Sequence, residues 1–343
     1  MTIAVKMTAD THPEQQLIPT YTDWQAALAD AVTDPVELAR LLRLPMPIAA
    51  ADLASAQFPL LVPRPYLARI RPGDLTDPLL LQVLPSGEEL VATPGFSEDP
   101  LGETEALEPP RLLAKYASRV LMVTTGACAV HCRFCFRRHF PYREAAAAAR
   151  LGEPDLARIA ADSSVREVIL SGGDPLTLTD AELQRLVDRL ADVPHLSRLR
   201  IHTRLPIVIP QRVTDGLLAC LRSRLATWIV VHVNHAAEID AAVAAALGRL
   251  VDAGIPVLSQ SVLLRGVNDR VEVLAELFER LADLRVVPYY LHQLDRVAGA
   301  AHFHVPEEAG VALLSALRAR LPGYAVPRYV RETVGEPNKR VLA

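Results

Sequence analysis

Three of the four cysteines fall within eight residues, in the segment Gly126-Ala-Cys128-Ala-Val-His-Cys132-Arg-Phe-Cys135-Phe-Arg-Arg. The spacing is C-x3-C-x2-C. Thiolates are the usual ligands of iron–sulfur clusters, and four normally complete the set. Three close cysteines with no fourth nearby leave one iron open, which is what chemistry at the cluster requires. The competing reading is a Cys3His zinc site completed by His131 or His139. Structural zinc sites usually come as two separated pairs, which this segment lacks. Cys220 falls in register with Leu217, Leu221 and Leu225 and reads as a buried small hydrophobe. Three crowded cysteines out of four do not suggest a secreted disulfide framework.

Such a loop needs a rigid element on each side. From about residue 119 short β-rich runs alternate with amphipathic runs. Strands are expected at Arg119–Thr125, Glu167–Ser171, Arg198–His202, Trp228–His232, Pro256–Val262 and Val286–Leu291. Helices are expected at Asp180–Ala191, Glu238–Ala253 and Asn268–Leu284. Six β/α units imply a parallel sheet with right-handed crossovers. Six are too few for an eight-stranded barrel, so the expected fold is α/β, an open partial (β/α)6 barrel. Each expected strand ends in or near a polar cluster: the cysteine loop, Gly172-Gly173-Asp174, His202 to Arg204, Asn234-His235, Gln260-Ser261 and Asp295. Barrel enzymes place their active sites at these strand ends.

Residues 1–115 read as a mostly helical extension, with helical periodicity over Trp24–Leu44 and then a proline-studded stretch to Pro110. Residues 116–305 form the expected core, and 306–343 a C-terminal helix and tail. The alanine run at 145–149 is the one low-complexity tract. The chain has 343 residues, 50% of them hydrophobic, enough for a sizeable core. Its net charge of −4 gives no electrostatic case for nucleic-acid or membrane binding. The first 20 residues are polar and lack a signal-peptide pattern, and no apolar run reaches the ~18 residues of a membrane span. A cytoplasmic location is expected.

The triad after a first strand resembles the radical S-adenosylmethionine (SAM) superfamily over about residues 119–300. In that superfamily SAM binds the open iron of a [4Fe–4S] cluster, here held by Cys128, Cys132 and Cys135. Gly172-Gly173-Asp174 resembles its glycine-rich segment, which contacts the SAM amino group. Further phrases narrow the likeness: Cys-Arg-Phe-Cys-Phe-Arg-Arg-His-Phe-Pro-Tyr, Ser-Gly-Gly-Asp-Pro-Leu, Arg-Leu-Pro-Ile-Val-Ile-Pro and Gln-Ser-Val-Leu-Leu-Arg-Gly-Val-Asn-Asp. They are similar to lysine 2,3-aminomutases over about residues 22–340. Val-Pro-Tyr-Tyr-Leu-His and Gly-Ala-Ala-His-Phe resemble the branch that serves β-lysylation of elongation factor P.

That resemblance implies pyridoxal 5′-phosphate (PLP) beside SAM, with Lys339 of Gly-Glu-Pro-Asn-Lys as its covalent anchor. Such an amine reacts unprotonated, so burial or a cationic neighbour is expected, with Arg340 a candidate. Taken alone, Lys339 is a solvated tail lysine. By resemblance Lys115, Arg119, Arg204 and Gln260 are candidates for the PLP phosphate, Arg137 for the substrate α-carboxylate, and Asp295 with Glu332 for the substrate ε-ammonium. Free-lysine aminomutases carry Asp at the last position. The implied partners are L-lysine, elongation factor P with its lysyl-transferring ligase, and a cellular reductant. Two alternatives stand beside this. One is a stand-alone lysine 2,3-aminomutase; those chains usually continue past the PLP lysine, with extra zinc-binding cysteines. The other is a non-enzymatic electron-transfer or zinc protein. His302 and His304 read as a family loop rather than a metal site.

Overall fold

The computed structural model describes residues 21–45, 50–108, 111–142 and 153–343; the first 20 residues, Pro110 and the alanine run at 145–149 lie outside them. Ten strands form one sheet in chain order. They are β1 (Leu107–Glu108), β2 (Leu112–Tyr116), β3 (Arg119–Thr125), β4 (Glu167–Gly172), β5 (Arg198–Thr203), β6 (Ala226–His232), β7 (Val257–Val262), β8 (Val287–His292), β9 (Arg328–Arg331) and β10 (Arg340–Val341). Neighbours from β3 through β9 pair in parallel. The antiparallel strands β1–β2 flank one end and β10 the other. The order is linear rather than circular, so the barrel is partial. The six expected strands are β3 to β8, each within two residues at either end. The parallel set gains a seventh member, β9, and antiparallel flanks.

The parallel strands alternate in a telling way. In β7 every second residue is buried, while Leu258, Gln260 and Val262 between them are half-buried; β5 follows the same alternation, with Arg200 and His202 half-buried. The fully buried face packs under helices. Helix Asp180–Ala191 buries Leu183, Leu186, Val187 and Leu190, spaced at the helical repeat, and opens on a Thr179–Glu182 capping box. The other, half-buried face carries Arg200, His202 and Gln260 and looks into the barrel lumen. Helix Ala241–Asp252 starts three residues later than its periodicity suggests, because Asp240 caps it and Ala236–Glu238 forms a separate 3-10 turn. Helix Val271–Asp283 likewise starts late: the Asn268 side chain is spent on Leu264 N, Asn234 O and Val262 O.

The N-terminal extension shares one apolar core with the barrel, continuous from Trp24 to Tyr329. The Trp24–Leu44 periodicity resolves into two short helices, Trp24–Ala29 and Pro35–Leu41. Between them Val32 pairs with Val62 in an isolated bridge. Asp34 and Pro35 restart the helix as cap and first residue.

Candidate active site

The cysteine loop leaves β3 and is fixed to the extension from below. His131 N donates to Leu61 O at 3.0 Å and Arg133 N to Gln82 O at 2.9 Å. The fully buried Arg133 guanidinium pairs with Glu89 at 2.6 Å, which Arg138 also engages. The two histidines available to a zinc site are engaged elsewhere: His131 Nδ1 lies 2.8 Å from Pro59 O, and His139 Nε2 3.2 Å from Ala298 O. Among the described residues no group of three His, Cys, Asp or Glu side chains is set to hold a metal ion. A Cys3His zinc centre would draw its thiolates within about 3.8 Å of one another, given Zn–S bonds of ~2.3 Å. A cluster spreads its ligands over separate irons. All three thiols are free. Burial, then the neighbouring Cys132, pushes the Cys135 thiol up to about 11. Filling this loop with a metal group therefore releases protons. Cys220 is buried, its Sγ 3.3 Å from Asp180 O.

The glycine segment after β4 lies against the root of that loop. Gly173 N donates to Thr125 O and Asp174 N to Ala127 O, each at 2.7 Å. A Cβ on Gly173 would stand 2.2 Å from Ala127 O, and Gly172 adopts φ +112°. Both glycines are thus required by backbone approach. The Asp174 carboxylate is spent internally: Oδ1 accepts from Leu176 N and Thr203 Oγ1, and Oδ2 from Arg204 N and Leu205 N. It ties the end of β4 to the end of β5.

A second group forms where the first and last parts of the sheet face each other. Arg137 donates from Nε and Nη2 to both Glu103 oxygens, at 2.6 and 3.0 Å, and from Nη1 to Ser171 Oγ at 3.0 Å. Lys115 Nζ lies 3.2 Å from Glu103 and 3.3 Å from Glu332. The other Glu332 oxygen accepts from Lys339 Nζ. Lys339, Lys115 and Arg137 pull the Glu332 and Glu103 carboxyls below their usual range against the cost of burial; Glu332 falls to about 2. Asp295, just past β8, goes the other way. Burial, then Glu332, raises it to about 7, with Lys339 opposing. Burial and then Lys339 hold His292 down at about 3. The Lys339 side chain is only 24% exposed, whereas residues 333–338 and Arg340 are exposed, so it is not a solvated tail lysine. Its neighbour is a carboxylate; Arg340, the cation expected there, points into solvent.

Lys115, Arg137, Asp295, Glu332 and Lys339 are thus brought together. Glu103 and Ser171 join them without having been foreseen. Ser171 could have been found from its place before the glycine segment; Glu103 sits in an irregular acidic stretch with no such signal. Arg204 does not join this group. Its guanidinium contacts Cys132, Gln82 and Glu238 instead, because one residue past β5 it turns toward the cysteine loop. Arg119 is the first residue of β3, about 20 Å along the strand from Thr125. It stacks 4.7 Å from the Tyr116 ring centre. Gln260 lies mid-lumen, opposite His232 and Tyr290. His302 lies tilted against Phe303 and His304 edge-on to Phe96, and neither belongs to either group.

A parallel partial barrel whose first strand runs into a three-thiol loop, braced by a glycine segment from the second, is the core of a radical SAM enzyme. Residues 122–278 match the family model described as Radical SAM superfamily, which implies a [4Fe–4S] cluster and SAM. The chain is 47% identical over 327 residues to an L-lysine 2,3-aminomutase of Escherichia coli, covering 94% of this chain and 95% of that one. It is 44% identical to a Haemophilus influenzae protein of the same name, over 96% and 98% of the two chains. An L-lysine 2,3-aminomutase of Clostridium subterminale is 38% identical over 80% of this chain and 66% of its own. The chain belongs to the L-lysine 2,3-aminomutase family and is an isomerase. No described helix is long and apolar enough to cross a membrane.

Proposed function

We propose that the chain converts L-lysine to β-lysine with a [4Fe–4S] cluster on Cys128, Cys132 and Cys135, SAM on the open iron, and PLP anchored on Lys339. The observation that carries this is the gathering of Glu103, Lys115, Arg137, Asp295, Glu332 and Lys339 from segments far apart in the chain. When bound, the cluster and SAM supply a carbon-centred radical that takes hydrogen from the substrate, and PLP supplies a conjugated ring that lets the amino nitrogen migrate. Three features suit these groups: soft thiols for iron, a half-buried lysine beside a polar lumen for PLP, and buried His202 and His232 Nε2 atoms without a protein partner.

The remaining roles belong to the chain's own side chains. Arg137 receives the α-carboxylate. Its Nε edge is held by Glu103 and one Nη1 proton by Ser171, so two of its five N–H donors stay free for a carboxylate. Asp295 receives the ε-ammonium. It lies in a site where burial and Glu332 disfavour its charge, and an arriving cation restores it. Glu332 keeps Lys115 and Lys339 paired. Lys115 supplies fixed positive charge beside the lumen, and Arg119 and Gln260 are the further candidates for the PLP phosphate. The Gly172-Gly173-Asp174 segment offers backbone groups to the SAM amino end; its carboxylate serves as a strut. The β-lysine product supplies modification of elongation factor P through its lysyl-transferring ligase, in the cytoplasm and with a cellular reductant. One observation favours this over a free-lysine enzyme: the Val287–His292 and Gly299–Phe303 phrases. Anaerobic reconstitution with iron, sulfide, SAM and PLP, followed by chromatographic assay of β-lysine, tests the reaction. No β-lysine from a fully loaded protein rejects it. Modification of elongation factor P by the ligase, with and without this enzyme, tests the destination.

A further inference from the structure

The contact that turned Arg204 away from the lysine group is itself informative. Arg204 Nη1 lies 2.7 Å from Cys132 Sγ. The guanidinium is held there independently of the sulfur. Nη2 donates to Gln82 Oε1 at 2.7 Å and to Glu238 Oε2 at 2.9 Å. Its centre stands 5.6 Å from both the Tyr66 and the Phe134 rings. Glu238 is fully buried and accepts on its other oxygen from Gln82 Nε2, Asn234 N and His235 N. Asn234 Nδ2 closes the circuit onto Gln82 Oε1 at 2.9 Å. Arg69 adds a second guanidinium at the Glu238 carbonyl. Side chains from the extension, the β5 end and the β6 end thus fix one cation against one thiol. Among the described residues, Cys132 is the one loop cysteine that accepts a hydrogen bond from a side chain.

We propose that Arg204 is a tuning residue for the cluster, raising its reduction potential through Cys132, with Glu238 setting how much of that charge the cluster feels. The proposal rests on Cys132 being a cluster ligand. Reduction adds one electron from a low-potential one-electron donor, taking the cluster from its 2+ to its 1+ state; no bond forms or breaks at Arg204. A donated hydrogen bond withdraws density from the thiolate, and a fixed cation lowers the energy of the added electron in a weakly screened interior. The conjugate acid–base state of Arg204 does not enter, since a guanidinium stays charged.

The test is a potentiometric titration of the anaerobically reconstituted full-length protein, without SAM, read by electron paramagnetic resonance of the reduced cluster. Arg204→Met is expected to make reduction at least tenfold less favourable, a downward shift of about 59 mV or more for one electron. Glu238→Gln is expected to shift the potential upward, because the guanidinium then loses its counter-charge. Opposite signs at equal iron content support the proposal. No shift in either variant, or shifts of the same sign, overturns it. Should Arg204→Met not take up a cluster, Glu238→Gln decides alone: an upward shift supports the proposal and its absence overturns it. Cys132→Ala separates the underlying assumption. If that variant carries a full cluster, Cys132 is not a ligand, and it is the ligand reading that fails.

Discussion

The two polar regions of this barrel are built in opposite ways. The cysteine loop is one continuous stretch, eight residues from Cys128 to Cys135, hung on backbone hydrogen bonds to Leu61 and Gln82 and on the buried Arg133–Glu89 pair. The lysine group draws one or two side chains each from a short helix, β2, the cysteine loop, the loop after β8 and the tail. The first is a local motif whose scaffold is distant. The second is a distant constellation with no local motif at all. A loss in the first should be all-or-none, because a cluster either loads or does not. A loss in the second should be graded, because each charge is partly covered by its neighbours.

The sharpest test of that contrast is at the thiols. Cys128→Ala, Cys132→Ala or Cys135→Ala should each remove cluster iron and SAM cleavage completely, while Cys220→Ala leaves both in place. Iron content and methionine release measure this; an essential Cys220 would break the open-iron argument. Next is Asp295→Asn. Removing one partner of a buried charge pair costs about 3–5 kcal/mol, so kcat/KM for lysine should fall by roughly two to four orders of magnitude. The loss should be smaller for an analogue bearing a methyl group in place of the ε-amine. Equal losses on both substrates would leave the acid as scaffolding.

Lys339→Ala should abolish the visible absorbance of covalently held PLP and leave iron content at the wild-type level. Absorbance that survives would move the anchor to another lysine.

The gentlest effect is on pH. Asp295 is raised to about 7, so below that pH an arriving ammonium must displace a proton. KM for lysine should climb as pH falls below 7, by up to tenfold per unit, and this slope should flatten in Asp295→Asn. For stability the sign is the reverse of a salt-bridged acid. With a folded pKa near 7 and an unfolded one near 4, the folded state holds the extra proton. The contribution of Asp295 is therefore present at acid pH and lost as pH rises from about 4 to 7. Glu332, held at about 2 by Lys339, stabilises above its unfolded pKa and loses that contribution as pH falls toward 2. Melting curves of the substrate-free protein across pH 2–8, wild type against Asp295→Asn, separate the two.

The same contrast governs how much could be read beforehand. Strands β3 to β8 were legible because alternation and strand-end polar residues are local signals. The cysteine loop and its glycine brace were legible for the same reason. Strand β9 was not: Arg-Tyr-Val-Arg is four residues with charges at both ends, and only its pairing with Tyr290 to His292 makes it a strand. Strand β2 was hidden behind the end of the proline-studded stretch at Pro110, and with it the reason Lys115 reaches the tail. In the site, resemblance supplied Arg137, Asp295, Glu332 and Lys339, but resemblance carries no register. It placed Arg204 with the phosphate group, although one residue past β5 the side chain is on the cysteine side. Glu103 was invisible because nothing in Leu-Gly-Glu-Thr-Glu separates a buried ion-pair partner from a solvated acid.

The ends of the sheet meet without main-chain pairing. Lys115 on β2 reaches Glu332 beyond β9, and Glu332 holds Lys339 before β10. A wall joined all the way round by backbone ladders can admit a bulky guest only through its mouth. Here the last join is three side chains, each less than a quarter exposed and so only partly screened by dissolved salt. For the PLP proposed on Lys339, loading is then a matter of parting ions along a zip. Its rate should rise only modestly with ionic strength, with the fold intact throughout.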